Sequence, residues 1–124
     1  MCSLQGRIDD HEARALFERH AEMCKVFSHA SRLMILHVLR EREMTVAAIA
    51  EKLGVVLGTV SPHLLMMKQR GVLLSRKQGN QVFYRLANPK MLLAFDLIRE
   101  ILHEQMQQEI LLAKRLEQEQ AKIK

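Results

Sequence analysis

Residues 45–85 read TVAAIAEKLGVVLGTVSPHLLMMKQRGVLLSRKQGNQVFYR. Thr45 is a good N-cap for a short helix, and Gly54 ends that helix as a C-terminal glycine. About three residues of turn follow. A second helix is predicted over residues 58–70, with Val60, Leu64 and Met67 at i, i+4 and i+7 facing inward, and it stops at Gly71. Residues 72–77 and 81–86 read as strands, and Gln78-Gly79-Asn80 between them has the composition of a hairpin turn. From residue 45 to residue 86 there are six basic side chains (Lys52, Lys68, Arg70, Arg76, Lys77 and Arg85) against the single acid Glu51. Residues 1–44 and residues 87–124 each balance to zero, so the formal net charge of +5 resides in this stretch alone. A helix, a tight turn, a second helix and a hairpin that together hold all the surplus positive charge form the electrostatic footprint of a nucleic-acid binder.

The flanks are helical. Asp9 or Asp10 can cap a helix beginning near His11, with an apolar stripe at Ala13, Leu16, Phe17, Ala21, Cys24 and Phe27. Residues 28–31 break it. Residues 32–42 are apolar over much of their circumference, as expected of a central buried helix. Asn88-Pro89 opens the last helix, Asn as cap and Pro at the first helical position. Its apolar positions are Met91, Leu92, Phe95, Ile98, Leu102 and Met106. A polar stretch then runs to Lys124, with Ile110, Ala113 and Leu116 on one side. The expected organisation is one domain over residues 9–104 and a polar helical extension over residues 105–124, the latter either a solvated helix end or an elongated dimer helix.

Composition narrows the class. A chain of 124 residues with 48% hydrophobic content can bury a real core as a single domain. Aromatics make up only 4% and there is no Trp, which argues against binding single strands by base stacking. Two cysteines are too few for a disulfide scaffold and point to a reducing compartment. The first 20 residues hold four acids and no apolar run, so no signal peptide is read there, and no window approaches the ~18 apolar residues of a membrane span. A cytoplasmic protein is expected.

Several motifs, in order and spacing, resemble the ArsR (ArsR/SmtB) winged-helix repressors. AEMCKVFSHASRLMILHVL over residues 21–39 is similar to the family's leucine-rich opening, a short break and Arg-Leu-x-Ile-Leu. TVAAIAEKLG over residues 45–54 resembles the first helix of its helix-turn-helix. TVSPHL over residues 59–64 resembles its recognition helix, and residues 71–86 resemble its wing. The resemblance spans about residues 15–103. It implies a mainly α fold with a two-stranded β-wing: five helices in a winged helix-turn-helix, dimeric through the first and last helices. It also implies an operator-binding repressor, often relieved by a metal or a thiol-reactive signal.

With Val60, Leu64 and Met67 inward, the opposite face of the recognition helix holds Gly58, Pro62, Leu65 and Gln69, flanked by Thr59, Ser61 and Met66. The Pro62 and Leu65 positions are commonly basic or polar in the family. Only Thr59, Ser61 and Gln69 can hydrogen-bond base edges, while Pro, Leu or Met can touch a thymine methyl. Lys68, Arg70, Arg76, Lys77 and Arg85 are the candidate phosphate contacts, with Gln81 in the wing. His63 lies at the edge of the inward stripe, as a structural histidine or a phosphate contact. Pro62 requires the helix either to start late, near Thr59, or to bend, and Val56 stands where a Ser or Thr cap is usual.

Candidate sensor residues are few. The family's Cys-x-Cys metal site corresponds to Thr45 and Ala47, and its Asp-x-His zinc site to Asp96 and Ile98; both patterns fail. His20 and Cys24 sit at i, i+4, a spacing that can hold one metal ion, although Cys24 also lies on the apolar stripe. The family's sulfur-sensing branch implies a cysteine pair at positions held here by His37 and His103, which as imidazoles could take a metal or haem. The expected partners are an operator in double-stranded DNA and a second copy of the chain, with no membrane. The rival expectation is a winged-helix protein-interaction module, suggested by the apolar outward face. No nucleophile–base spacing, phosphate-binding glycine loop or paired carboxylates suggest an enzyme.

Overall fold

The computed structural model describes residues 11–123. The order is α1 (His11–Val26), α2 (Ala30–Val38), β1 (Met44–Thr45), α3 (Val46–Leu53), α4 (Leu57–Gln69), β2 (Leu73–Gln78), β3 (Gln81–Leu86) and α5 (Lys90–Ile123). These elements form two units divided between Asn88 and Pro89. The expected Asp9 or Asp10 cap lies outside the described residues.

The first unit is built around α2, α3 and α4. Its fully buried side chains include Ile35 and Leu36 of α2, Ile49 of α3, and Val60, Leu64 and Met67 of α4. The expected inward stripe of the recognition helix is thus the core. Local signals set the ends of the elements. Thr45 Oγ1 accepts the Ala48 amide at 3.1 Å. Gly54 takes φ 71° after α3, and Gly71 takes φ 79° after α4. At each end the next valine amide reaches back to a helical carbonyl, Val55 to Ala50 at 3.1 Å and Val72 to Met67 at 2.9 Å. This is the Schellman closure, which satisfies last-turn carbonyls and sends the chain off sharply. Arg32 holds the end of α1 from outside the helix, its Nε donating to the Val26 carbonyl at 2.8 Å and its Nη2 to that of Lys25 at 3.2 Å.

Four expectations are revised. The wing is part of a three-stranded antiparallel sheet in the order β1-β3-β2, not a lone hairpin. Met44 pairs with Tyr84 and Thr45 with Phe83, anchoring the wing to the start of α3. The central helix spans Ala30–Val38 rather than 32–42, because Leu39 already has non-helical dihedrals and closes it. α4 does not start late: it begins at Leu57, and Pro62 lies inside it. The amide that Pro62 lacks would have bonded Gly58; both residues are exposed, so water can take the freed carbonyl. Finally, the apolar stripe of α1 is not all core in the single chain. Ala13 is buried, but Leu16 and Phe17 are half exposed and Cys24 is exposed.

In the wing, Gln78 pairs with Gln81, leaving a two-residue turn at Gly79-Asn80. Gly79 takes φ 62° while Asn80 keeps a negative φ, the pattern of a II′ hairpin turn. The second unit is α5, a helix of 34 residues that runs unbroken through residue 104. From Arg99 to Lys122 every residue is exposed.

Candidate nucleic-acid interface

The outward row of α4 is as the sequence places it. Gly58, Thr59, Ser61, Pro62, Leu65, Lys68 and Gln69 are exposed, and Met66 is half-buried. Val56 contributes no side-chain cap, so the first amides of α4 are left for solvent or a ligand oxygen. The neighbouring surface is apolar: Val56 is 72% exposed, Leu65 53% and Leu57 50%.

The basic residues divide into two groups. Lys52, Lys68 and Lys77 are exposed and make no ion pair among the described residues, and Arg85 is exposed near enough to Glu43 to lower its carboxyl. Arg70 and Arg76 are engaged within the protein. Arg70 Nη1 donates to Glu22 Oε2 at 2.7 Å, tying the end of α4 to α1. Hydrogen bonds from Lys25 and Arg70 hold the Glu22 carboxyl below its usual range. Arg76 Nε donates to both oxygens of Glu43, at 2.8 and 2.9 Å, and its guanidinium lies 4.3 Å from the centre of the Phe83 ring. That hydrogen bond lowers the Glu43 carboxyl, and the nearby charges of Arg76 and Arg85 add to the effect. Glu22 and Glu43 lie outside the basic stretch in sequence but against it in space. The charge surplus at the surface is therefore smaller than a window count suggests. Gln81 is exposed at the wing tip beside Gln78.

His63 is turned away from the outward row. Half-buried, it packs against His29, the ring centroids 4.6 Å apart. Burial and the neighbouring His29 and Arg32 push its pKa below the usual histidine value. His29 caps α2, its Nδ1 accepting the Ser31 amide at 3.2 Å. The sequence pattern does not show this contact, because the helix-turn-helix begins at Thr45 and His29 lies in the break before α2.

The sensor candidates gain no further ligands. His20 and Cys24 are both exposed, one turn apart on α1, and Cys24 is a free thiol. No cluster of three or more His, Cys, Asp or Glu side chains suited to a metal ion exists among the described residues. His37 on α2 and His103 on α5 are both exposed and belong to different units. No helix among the described residues is long and apolar enough to cross a membrane.

Known proteins share this arrangement. The family profile described as bacterial regulatory protein, arsR family, matches residues 29–74. The chain is 33% identical over 82 residues to a biofilm growth-associated repressor of Xylella fastidiosa, covering 66% of this chain and 70% of that protein. It is 32% identical over 90 residues to an HTH-type transcriptional regulator of Mycobacterium tuberculosis; that match covers 73% of this chain but only 40% of the longer relative. Among solved structures, the homodimeric winged helix-turn-helix DNA-binding domain of a possible ArsR-family regulator from Mycobacterium bovis superposes with a TM-score of 0.69. Its sequence is 30% identical, with 80% of this chain and 90% of that one covered.

Proposed function

This chain is a DNA-binding transcription regulator of the bacterial arsR family, and from that premise we propose that it acts in the cytoplasm as a homodimeric repressor. In this reading α4 enters the major groove, with Thr59, Ser61 and Gln69 toward the base edges. Lys68 in the last turn of α4 and Lys77 in the wing contact phosphates on either side. The single observation that carries it is the outward row of α4, Gly58, Pro62, Leu65 and Gln69, which is solvent-exposed and ends beside the unpaired Lys68. The dimer is supported by the half-exposed Leu16 and Phe17 on α1 and, independently, by the exposed Ile98, Ile101 and Leu102 on α5. Contiguous exposed apolar patches, unlike single apolar side chains, mark interaction surfaces.

Repression in this reading is occupancy. The dimer covers its operator, and any signal that moves α4 relative to its partner releases it. His20 and Cys24, one turn apart on α1, are the residues through which such a signal acts in this reading, as metal ligands completed by a second chain. The direct test is footprinting on the DNA upstream of the protein's own gene, with sedimentation to count chains per duplex. Two protected half-sites about 10 bp apart, bound by two chains, are expected. A chain that sediments as a monomer on DNA, or that protects no site, would overturn the proposal.

A further inference from the structure

We propose that α4 selects its operator through thymine methyl groups and adenine edges rather than through guanine, and that Leu65 is the residue that sets this preference. The proposal rests on the DNA-binding reading above and goes beyond it to the chemistry of the site that is bound.

The outward row of α4 is Gly58, Pro62, Leu65 and Gln69. Between Lys52 and Lys68 the chain has no Lys or Arg. Guanine is read in the major groove chiefly by a cationic fork on its O6 and N7, and nothing on the first eleven residues of α4 can supply one. The apolar group that the major groove does offer is the thymine C5-methyl. Pro62 and Leu65 are three residues apart, about 4.5 Å along the helix axis, so together they cover neighbouring base steps. Gln69 lies one further turn along the same row, and its amide is the side chain that pairs bidentately with adenine.

Discrimination also comes from what this face cannot satisfy. A leucine pressed against a cytosine amino group or a guanine O6 strips water from that group and offers no hydrogen bond in return. Against a thymine methyl it buries apolar surface on both sides. The occupant is duplex DNA rather than an apolar protein groove because the unpaired Lys68 stands on α4 beside Gln69 and the unpaired Lys52 and Lys77 are exposed on α3 and β2, the elements that pack against α4; a polyanion complements them. Gly58 adds an independent sign of close approach. A Cβ built there would meet nothing within 4 Å, so packing inside the protein does not require glycine at that position.

The test begins by selecting duplexes from a random-sequence library with the full chain, at salt between about 50 and 200 mM. In the selected duplex each thymine is then replaced in turn by uracil, which removes only the methyl group. Affinity is expected to fall roughly threefold to fourfold at one or two positions in each half-site, the effect of one buried methyl. Leu65→Ala should lose the discrimination between thymine and uracil at one of those positions with an unchanged salt dependence, and Leu65→Met should keep it. Selection of half-sites with guanine at the central positions would overturn the proposal, as would equal binding of thymine and uracil duplexes by the wild type. Discrimination retained by Leu65→Ala at every one of those positions would overturn the role given to Leu65. All three outcomes leave DNA binding itself intact, whereas failure to enrich any duplex would overturn both readings.

Discussion

Arg76 and Glu43 are joined across the full width of the sheet. Arg76 lies in β2, Glu43 immediately precedes β1, and β3 runs between them, with the Phe83 ring beneath the guanidinium. Arg76, Phe83 and Thr45 form one cross-strand row. The sequence counts Arg76 as a phosphate contact; the structure gives it a carboxylate and a ring to hold. Lys77, the next residue, is exposed without such partners. Each phosphate neutralised contributes about 0.9 to the slope of log affinity against log salt. Lys77→Ala should therefore flatten the slope by about 0.9, and Arg76→Ala should leave it nearly unchanged, as read by fluorescence anisotropy on one duplex. If the two variants flatten it equally, Arg76 leaves Glu43 when DNA arrives.

The same pair shows why some of the site was legible in the sequence and some was not. Thr45, Gly54, Gly71 and the Val60/Leu64/Met67 spacing act over one or two turns, so reading along the chain finds them. The acids that hold Arg70 and Arg76 are 48 and 33 residues away, beyond any local window. β1 is two residues long and pairs with a strand some 40 residues later, too short to show alternation. The α1 stripe fails for a different reason. Periodicity shows that Leu16 and Phe17 form an apolar face, but not which chain covers it. The spacing puts His63 at the edge of the stripe, where it is half-buried, but its partner His29 is visible only in the fold.

Leu64 and Leu65 are adjacent and have opposite consequences. Leu64 is fully buried and Leu65 is 53% exposed. Leu64→Ala should cost about 2–5 kcal/mol, transfer and cavity effects together. Leu65→Ala should stay within about 0.5 kcal/mol, as is usual for surface positions. Urea unfolding of the two variants measures this directly. A large loss in Leu65→Ala would mean that the outward face of α4 is covered within the protein itself.

Histidine 63 makes stability depend on pH in a defined direction. Burial first, then the nearby His29 and Arg32, hold its folded pKa below the ordinary histidine value of 6.5. As pH falls through 6.5 the unfolded chain takes up this proton before the folded one does, so stability declines. Its contribution is complete above pH 6.5 and is lost below it. Glu22 and Glu43 shift downward from 4.5, so their contributions are lost only at more acidic pH. The urea midpoint of the wild type should fall between about pH 7 and pH 5.5, ahead of the carboxylate range. His63→Gln should reduce that fall. An unaltered pH profile in the variant would place the proton uptake on another group.

Gly58 separates stability from binding. It sits in the first turn of α4 with ordinary helical backbone, and a Cβ there would meet open space. Glycine at a helical position is the less stable choice, because its unfolded chain has more freedom to lose. Gly58→Ala should therefore stabilise the fold by about 0.4–1 kcal/mol. The same methyl stands on the outward row, where α4 meets the groove, and should weaken DNA binding. Thermal unfolding and anisotropy titration on one preparation read the two effects together. Opposite signs are expected; a variant that gains stability with no loss of affinity would move the point of closest approach to DNA away from the start of α4.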